Sequence, residues 1–225
     1  MASTKRHPFD TGPIYLNRWR NSTPSGSFVA VRRVPHANLK DSPVTDQPLA
    51  DAIDIFLDQG QRPYTEVVSQ LEHALQCALL AEAESGDGDL IAAAFLHDIG
   101  HMMQKHGQSA ADRGIDDKHE DIARGWVGRY FNDRVAEAVG QHVAAKRYLC
   151  AARPEYFDTL SPASVKSLEL QGGPMSADEV QAFESRPHWE DAVKLREWDD
   201  RAKTAGLDTP GIDHFKPYLE AALRG

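Results

Sequence analysis

The chain has 225 residues, of which 41% are hydrophobic and 26% charged, and its formal net charge is −9. These values are ordinary for a globular protein, and the length suffices for one compact domain with a substantial core. Because the sequence contains no run of 18 apolar residues and no apolar N-terminal signal core, we expect neither a membrane span nor a secretory signal. The two cysteines, Cys77 and Cys150, form no C-x-x-C motif, which favours a reducing, cytoplasmic setting.

The acidic charge is unevenly distributed along the chain. Residues 1–50 carry a net charge of +4, and the remaining 175 residues carry −13. An acidic body of this kind argues against nucleic acid as the main partner. We therefore expect a small-molecule ligand, and an anionic one would need cations placed locally in the site.

The first 48 residues contain six of the thirteen prolines and only one strand-like run, "SFVAVRRV". We interpret residues 1–48 as an irregular extension and residues 49–225 as the functional domain. Two interpretations of the extension stay open, a segment that wraps the body or a second subunit and a partly disordered arm. A homo-oligomer is possible, and the sequence does not fix the oligomeric state.

From Leu49 onward the apolar spacing is helical, which predicts an all-α domain. "SPAS" supplies an N-cap at Ser161 with proline at the first helical position, and "SADE" has the form of a capping box at Ser176. The segments that predict helices are 49–60, 64–86, 89–103, 119–131, 133–152, a helix after 161, a helix after 176, 189–203 and 214–223.

The string "LHDIGH" at 96–101 places polar side chains inside an apolar run, "LIAAAFLHDIGHMM". Burying a carboxylate and two imidazoles without partners is costly. His97 and Asp98 therefore lie at an exposed part of the helix or are satisfied by something inside the protein, and a metal ion would satisfy them.

Further histidines and an aspartate follow the order of the predicted helices. Taken singly, each is explained by a cap or a solvated surface position. Together they supply potential ligands from successive helices, which is how metal sites are built in the cores of helical bundles. Imidazole and carboxylate ligands suit iron, manganese or zinc. The candidate ligands are His73, His97, Asp98, His119, His142 and Asp199.

Cations share helix faces with two of these residues. Lys146 follows His142 by four positions, and Arg196 precedes Asp199 by three. His101 follows His97 by four and adds a titratable donor. Residues at these spacings are neighbours on a helix. Although the body is acidic, two cations and one imidazole are therefore expected beside the metal site, an arrangement that suits a phosphonate or phosphate group.

Four longer strings resemble a known family. The HD-domain superfamily of helical metalloproteins carries the H…HD…D pattern, and its phosphonate-catabolic oxygenases carry strings similar to those of this chain over about residues 54–223. The resemblance implies an HD-domain helical bundle with two iron ions in a mixed-valent Fe(II)/Fe(III) pair and O₂ as co-substrate. The strings are "QLEHALQCA" (70–78), "HVAAKRYL" (142–149), "LELQGGPM" (168–175) and "KLREWDD" (194–200).

The family also implies roles for individual residues. His73, His97, Asp98 and Asp199 would bind one iron, and Asp98 would bridge to a second iron held by the other two histidines. His101, Lys146 and Arg196 would hold the phosphonate, and the resemblance adds Ser164. The implied reaction is oxidative cleavage of the C–P bond of 2-amino- or 2-trimethylammonio-1-hydroxyethylphosphonate, which gives phosphate and glycine or glycine betaine.

In this family a tyrosine and a glutamate upstream of the first ligand form a lid, in which the tyrosine caps the iron and the glutamate contacts the substrate nitrogen. Glu66 stands seven residues before His73, as expected, and would bind that nitrogen. Tyr64 precedes Glu66 by two residues where three are expected. The sequence therefore leaves open whether Tyr64 caps the iron and which group the substrate carries on C2.

Two alternatives to the oxygenase stay open at this stage. One is a metal-dependent HD phosphohydrolase that acts on a phosphate ester, with hydroxide on the metal as nucleophile. The other is a non-catalytic HD-like regulatory module. The complete set of six ligands argues against the module, since degenerate modules lose ligands. Metal identity and O₂ consumption would separate the oxygenase from the hydrolase.

Overall fold

The computed structural model describes residues 47–65, 67–104 and 113–225. The predictions for the N-terminal extension and its strand-like run fall outside these ranges, as does the assignment of Glu66 to the substrate nitrogen. The boundary between extension and domain at residue 48 likewise stays a prediction. None of the helices within these ranges is both long enough and apolar enough to cross a lipid bilayer.

The regular structure of the described residues is helical, and β-pairing in them is limited to isolated bridges. The expectation of an all-α fold is confirmed. The helices are α1 Pro48–Gln59, α2 Gln70–Glu84, α3 Gly88–Leu96, α4 Ile99–Met102, α5 His119–Tyr130, α6 Asp133–Ala152, a 3₁₀ helix Pro154–Thr159, α7 Pro162–Leu170, α8 Ala177–Glu184, α9 Trp189–Arg201 and α10 Ile212–Ala221.

Helix caps explain where several of these helices begin. Ser161 caps α7, and Ser176 with Glu179 forms a capping box at α8, as predicted. Helix α2 begins at Gln70, six residues later than the predicted start, because Ser69 and Glu72 form a second capping box there. Before it, the backbone N–H of Tyr64 donates to the carbonyl of Val68 (2.9 Å).

The predicted continuous helix over 89–103 is wrong, because the chain turns after α3. His97 and Asp98 lie between α3 and α4, and Asp98 has φ −100° and ψ 11°, away from helical values. On a continuous helix, neighbouring side chains point about 100° apart. The turn instead allows both side chains to point toward the centre of the protein.

Helix α3 forms the centre of the main core, where every residue from Leu90 to Leu96 is at most 1% exposed. It packs against α2, α6, α9 and α10. The large buried side chains around it include Phe56, Phe95 and Phe215. Burial of each such side chain contributes about 1.5–3 kcal/mol, so this core fixes the helices that carry the candidate ligands.

A Schellman motif ends α7 within the string "LELQGGPM", and a hydrogen bond connects this motif to the string "HVAAKRYL" on α6. The N–H of Gly173 donates to the carbonyl of Leu168 (2.9 Å), and the N–H of Gly172 donates to Glu169 (3.3 Å). Both glycines have positive φ, 98° and 73°, which other residues rarely adopt. The Gly173 carbonyl also accepts a hydrogen bond from Arg147 Nε (2.8 Å), which ties α7 to α6.

Candidate metal centre

Four buried histidines present their Nε2 atoms toward one point between the helices. In three of them Nδ1 lies against a backbone carbonyl, which can only accept a hydrogen bond. We therefore infer that Nδ1 carries the proton and that Nε2 offers its lone pair to the centre. These contacts are His73 to Ala202 (2.8 Å), His97 to Ala94 (2.9 Å) and His142 to Val139 (2.7 Å).

The fourth histidine, His119, has a different partner. Its Nδ1 lies 2.8 Å from a carboxylate oxygen of Asp117, so the neutral ring takes the same tautomer. Burial alone would lower the pKa of His119, but the hydrogen bond to Asp117 and the charge of Asp98 raise it to about 9. The Nε2 atoms then approach in pairs, His73 with His97 (3.2 Å) and His119 with His142 (3.1 Å).

The carboxylate of Asp98 lies between the two histidine pairs. Its Oδ2 is 3.3 Å from His97 Nε2 and 3.7 Å from His73 Nε2. Its Oδ1 is 3.5 Å from His119 Nε2 and 3.6 Å from His142 Nε2. Within the described residues Oδ1 is buried and has no hydrogen-bond partner. Each oxygen of Asp98 thus faces one pair, which is the arrangement of a bridging ligand.

Asp199 completes the group on the side of His73. Its Oδ1 lies 3.3 Å from His73 Nε2. Burial opposes ionisation of Asp199, but Arg196 and Lys203 outweigh it and hold its pKa well below the usual range. The six predicted ligands are therefore brought together in two groups of three, His73 with His97 and Asp199, and Asp98 with His119 and His142.

This donor set fits metal ions. Two imidazole lone pairs about 3 Å apart repel unless a cation or a shared proton lies between them. Burial lowers the pKa of His73 and of His142, which favours the neutral ring that a metal requires. For His97 and His119 the neighbouring carboxylates outweigh burial and raise the pKa, so a metal ion would take the place of their Nε2 protons. Imidazole and carboxylate ligands suit iron, manganese and zinc. All six candidate ligands are buried, so the protein shields the site from solvent.

Gly100 explains the close approach of α4 and α5. A Cβ atom built on Gly100 would lie 2.1 Å from the backbone oxygen of His119 and 3.1 Å from the nitrogen of Ala123. Only glycine leaves room for this backbone contact. The contact brings the start of α5, and with it His119, against the turn that carries Asp98.

A cavity of about 160 Å³ opens beside Asp98, His119, His142 and Asp199. Lys146 lines it and is only 3% exposed, with Nζ donating to Ser167 Oγ (2.7 Å). Burial and the nearby guanidinium of Arg196 lower the pKa of Lys146 to about 7. The predicted cation therefore lies at the cavity, in surroundings where its charge costs free energy unless an anion binds.

Arg196 also lines the cavity, but carboxylates surround its guanidinium. Nη1 lies 2.7 Å from Asp199 Oδ2, and Nε donates to Asp200 (3.1 Å) and to the hydroxyl of Tyr156 (3.2 Å). Nη2 contacts Asp200 as well. The helical phase of Arg196 with Asp199 is as predicted. In the structure Arg196 forms an ion pair with the candidate ligand Asp199, and a role in binding phosphonate stays a prediction.

His101 and Ser164, the other predicted phosphonate contacts, line the same cavity. His101 Nε2 lies 3.8 Å from Asp98 Oδ1, and its ring stacks on His119 with centroids 3.8 Å apart. The hydroxyl of Ser164 accepts a hydrogen bond from Ser161 (3.0 Å) near the first turn of α7. Both side chains thus line the same cavity as Lys146.

Tyr64 lies at the candidate metal centre despite its shifted spacing. Its hydroxyl donates to Asp199 Oδ1 (3.0 Å), and its ring stacks on His73 with centroids 3.7 Å apart. Lys203 Nζ lies 5.7 Å from the ring centroid. Burial and the charge of Asp199 raise the pKa of Tyr64 well above its usual value, so the phenol stays protonated.

Sequence reasoning missed three residues of this site. Asp117 precedes His119 by two positions, Ser167 follows Ser164 by three, and Lys203 follows Asp199 by four. The helical spacing of Ser167 and Lys203 was a usable signal. Asp117 lies outside a helix, so spacing gave no indication of where its side chain points.

Comparisons with known proteins show which family the chain resembles in sequence. Residues 71–178 match the HD domain family. The chain is 41% identical over 167 residues to a [1-hydroxy-2-(trimethylamino)ethyl]phosphonate dioxygenase (glycine-betaine-forming) of Leisingera caerulea, a match that covers 74% of this chain and 85% of that protein. It is 42% identical over 171 residues to a hydroxymethylphosphonate dioxygenase of Gimesia maris, covering 76% and 85%. An uncharacterized protein of Acanthamoeba polyphaga mimivirus is 39% identical over 171 residues, covering 74% and 78%.

Proposed function

Because the chain belongs to the HD-domain family, with hydroxyphosphonate dioxygenases among its relatives, we propose that it cleaves the C–P bond of a 1-hydroxyphosphonate with O₂. The products are inorganic phosphate and the carboxylic acid formed from C1, so both atoms of O₂ are consumed. The observation that carries the proposal is that the two oxygens of Asp98 face two pairs of histidines, with Lys146 on the wall of the adjoining cavity.

Two iron ions are the proposed cofactor. His73, His97 and Asp199 would hold one ion, His119 and His142 the other, and Asp98 both. When bound, a mixed-valent Fe(II)/Fe(III) pair supplies Lewis acidity and redox chemistry toward O₂. The donor chemistry of these side chains supports iron, and the proposed reaction requires a metal that changes its oxidation state.

The phosphonate is proposed to bind on the wall formed by α6 and α7. Lys146 supplies the charge, while the hydroxyls of Ser164 and Ser167 can donate hydrogen bonds to the oxygens. Ser164 lies in the first turn of α7, where the helix dipole favours an anion. An anion beside Lys146 would also offset the desolvation of its ammonium group.

Arg196 is proposed to act on both Asp199 and the phosphonate. Its ion pair with Asp199 fixes that carboxylate against His73, and its position on the cavity wall places a second positive charge near the phosphonate. His101 would donate to a phosphonate oxygen from the opposite group of ligands. Tyr64 covers the centre from the side of Asp199 and limits the access of water until the substrate displaces its hydroxyl.

The substituent on C2 is proposed to be a primary ammonium or a trimethylammonium. The ring of Tyr64 already contacts the imidazole of His73 and the ammonium of Lys203, so it is a poor aromatic face for a quaternary cation. An ammonium can also donate hydrogen bonds to a carboxylate, the role that the sequence predicts for Glu66. We therefore place 2-amino-1-hydroxyethylphosphonate ahead of its trimethylated counterpart.

The test is anaerobic loading of the chain with Fe²⁺, followed by partial oxidation and exposure to O₂ with each candidate substrate. O₂ uptake and phosphate release are measured together for the amino, trimethylammonio and unsubstituted hydroxyphosphonates. A 1:1 ratio of O₂ consumed to phosphate released is expected. Release of phosphate from a phosphate monoester with Mn²⁺ and no O₂ uptake would instead identify a phosphohydrolase.

A further inference from the structure

Asp117 contacts two imidazoles with its two carboxylate oxygens. Oδ1 forms a hydrogen bond with Nδ1 of His119 (2.8 Å), and Oδ2 lies 2.9 Å from Nδ1 of His101, an ion-pair distance without hydrogen-bond geometry. The two rings stack with centroids 3.8 Å apart and planes inclined by 18°. One carboxylate thus lies behind both a candidate metal ligand and a side chain of the substrate cavity.

The local backbone directs this carboxylate inward. Asp117 Oδ1 also accepts the backbone N–H of His119 (3.3 Å), which fixes the side chain across the start of α5. Lys118 between them has φ 49°, a left-handed conformation that is uncommon for residues other than glycine. The Asp117 side chain is only 13% exposed. A strained turn of this kind persists when surrounding contacts hold it.

The partner of His119 differs from those of the other three histidines. Behind His73, His97 and His142 stands a neutral carbonyl, whereas a charged carboxylate stands behind His119. A carboxylate accepts a stronger hydrogen bond and raises the basicity of the ring as a ligand. The group formed by Asp98, His119 and His142 is therefore electronically distinct from its neighbour.

We infer that Asp117 is a positioning residue that sets the tautomers of His119 and His101 at once. Since an ionised carboxylate only accepts hydrogen bonds, His119 carries a proton on Nδ1, and the negative charge of Oδ2 favours a proton on the adjacent Nδ1 of His101. Nε2 of His119 is then free to bind the metal, and Nε2 of His101 faces the cavity. The metal half of this inference rests on the proposed function, and the tautomer of His101 does not.

Asp117→Asn tests this arrangement because a carboxamide offers one acceptor and one pair of donors. The single acceptor can face Nδ1 of only one ring, and the other ring then meets the NH₂ group, which disfavours a proton on its Nδ1. We expect the affinity for the second iron to fall about 10–100-fold. We expect kcat/KM to fall by a larger factor than the iron affinity. We also expect KM to rise, since His101 is displaced in the cavity.

Three measurements separate positioning from a general structural defect. Anaerobic Fe²⁺ titration gives the affinity of each site, and kinetics at saturating iron give kcat and KM. Long-range ¹H–¹⁵N spectra of the diamagnetic Zn²⁺-loaded chain report the imidazole tautomers directly. Asp117→Asn should lose the Nδ1–H signal of His101 or His119, and Asp117→Glu, which keeps the carboxylate, should restore part of the iron affinity.

The matched control is Asp121→Asn, which removes the same charge from an exposed position in the first turn of α5. It should behave as the wild type in all three measurements. Unchanged tautomers and iron affinity in Asp117→Asn would overturn the inference. A wild-type chain that binds fewer than two iron ions would contradict the proposed function instead, while the tautomer of His101 would still decide the role of Asp117.

Discussion

The two groups of ligands differ in what neutralises them. Asp199, in the group with His73, lies near Arg196 and Lys203 and accepts the hydroxyl of Tyr64. In the group with His119 and His142, the flanking charge is the carboxylate of Asp117. The first group is therefore compensated by protein cations, whereas the second becomes more negative than its ligands alone. Negative charge that no protein cation compensates favours the binding of a metal cation at that place.

The comparison predicts different metal affinities for the two groups. The carboxylate behind His119 favours a cation in the second group, while Arg196 and Lys203 oppose one in the first. Protein cations on that side can also interact with the anionic substrate, since Arg196 and Lys203 both line the cavity. We therefore expect the second group to bind its metal ion more tightly than the first.

The largest expected effect comes from removing one histidine of each group. His119→Ala and His73→Ala should each leave at most one tightly held iron and lower oxygenase activity by at least about a thousandfold, because the proposed reaction needs both ions. Metal analysis and O₂ uptake measure the two effects. His214→Ala is the control, since His214 pairs with Glu82 at the surface. Retention of two irons in either core variant contradicts the ligand assignment.

Lys146→Ala removes a cavity-lining cation whose Nζ donates to Ser167 Oγ and, among the described residues, forms no ion pair with a carboxylate. A charge-assisted contact to a partly desolvated anion is lost, so kcat/KM should fall by about 2–4 kcal/mol in free-energy terms. Iron content should stay near that of the wild type, because Nζ donates to Ser167 rather than to a candidate ligand. An unchanged kcat/KM would show that the phosphonate binds elsewhere.

Gly100→Ala tests whether backbone packing positions the second group. The added methyl would overlap the carbonyl of His119 and must push α4 and α5 apart. We expect a loss of about 1–3 kcal/mol in the free energy of unfolding, measured with urea, and weaker binding of the second iron. Gly125→Ala is a matched control, because a Cβ there meets no atom within 4 Å. Equal stability of both variants would contradict the packing argument.

Much of this site was predictable from sequence, and the exceptions have physical causes. His73, His119 and His142 lie on helices, where spacing indicates which residues share a face. His97 and Asp98 could not both face the centre from a straight helix, and the turn that resolves this conflict left no clear spacing signal. Asp117 depends on the left-handed backbone of Lys118, and nothing in a single lysine reveals that conformation.

The predicted pairing of cations with ligands illustrates a further limit. Helical phase placed Arg196 beside Asp199, as the structure has it, but phase does not distinguish an ion pair with a ligand from a contact to substrate. Lys146, four residues after His142, likewise shares a helix face with a candidate ligand, yet it bonds to Ser167 on α7. The difference arises because Asp200 of α9 and Tyr156 of the 3₁₀ helix both contact Arg196.

The smallest effect expected here is a change in the pH dependence of kcat/KM, which distinguishes Lys146 from Arg196. The groups near Lys146 are Arg196, Asp199, Asp200 and Cys150, and burial with the charge of Arg196 lowers the Lys146 pKa to about 7. In the free enzyme the ammonium is therefore lost as the pH rises through about 7, and kcat/KM should fall by up to about tenfold per pH unit above that value.

Lys146→Arg isolates that contribution because a guanidinium stays charged throughout this range. The variant should have a lower kcat/KM overall, since its planar group fits the wall differently, but it should lack the fall above pH 7. The second ionisation of the substrate phosphonate affects both proteins equally, so comparing the two profiles cancels it. Iron content measured at each pH excludes metal loss as the cause. If the variant keeps the same alkaline fall, another group titrates, and Lys146 carries its charge unchanged across the range.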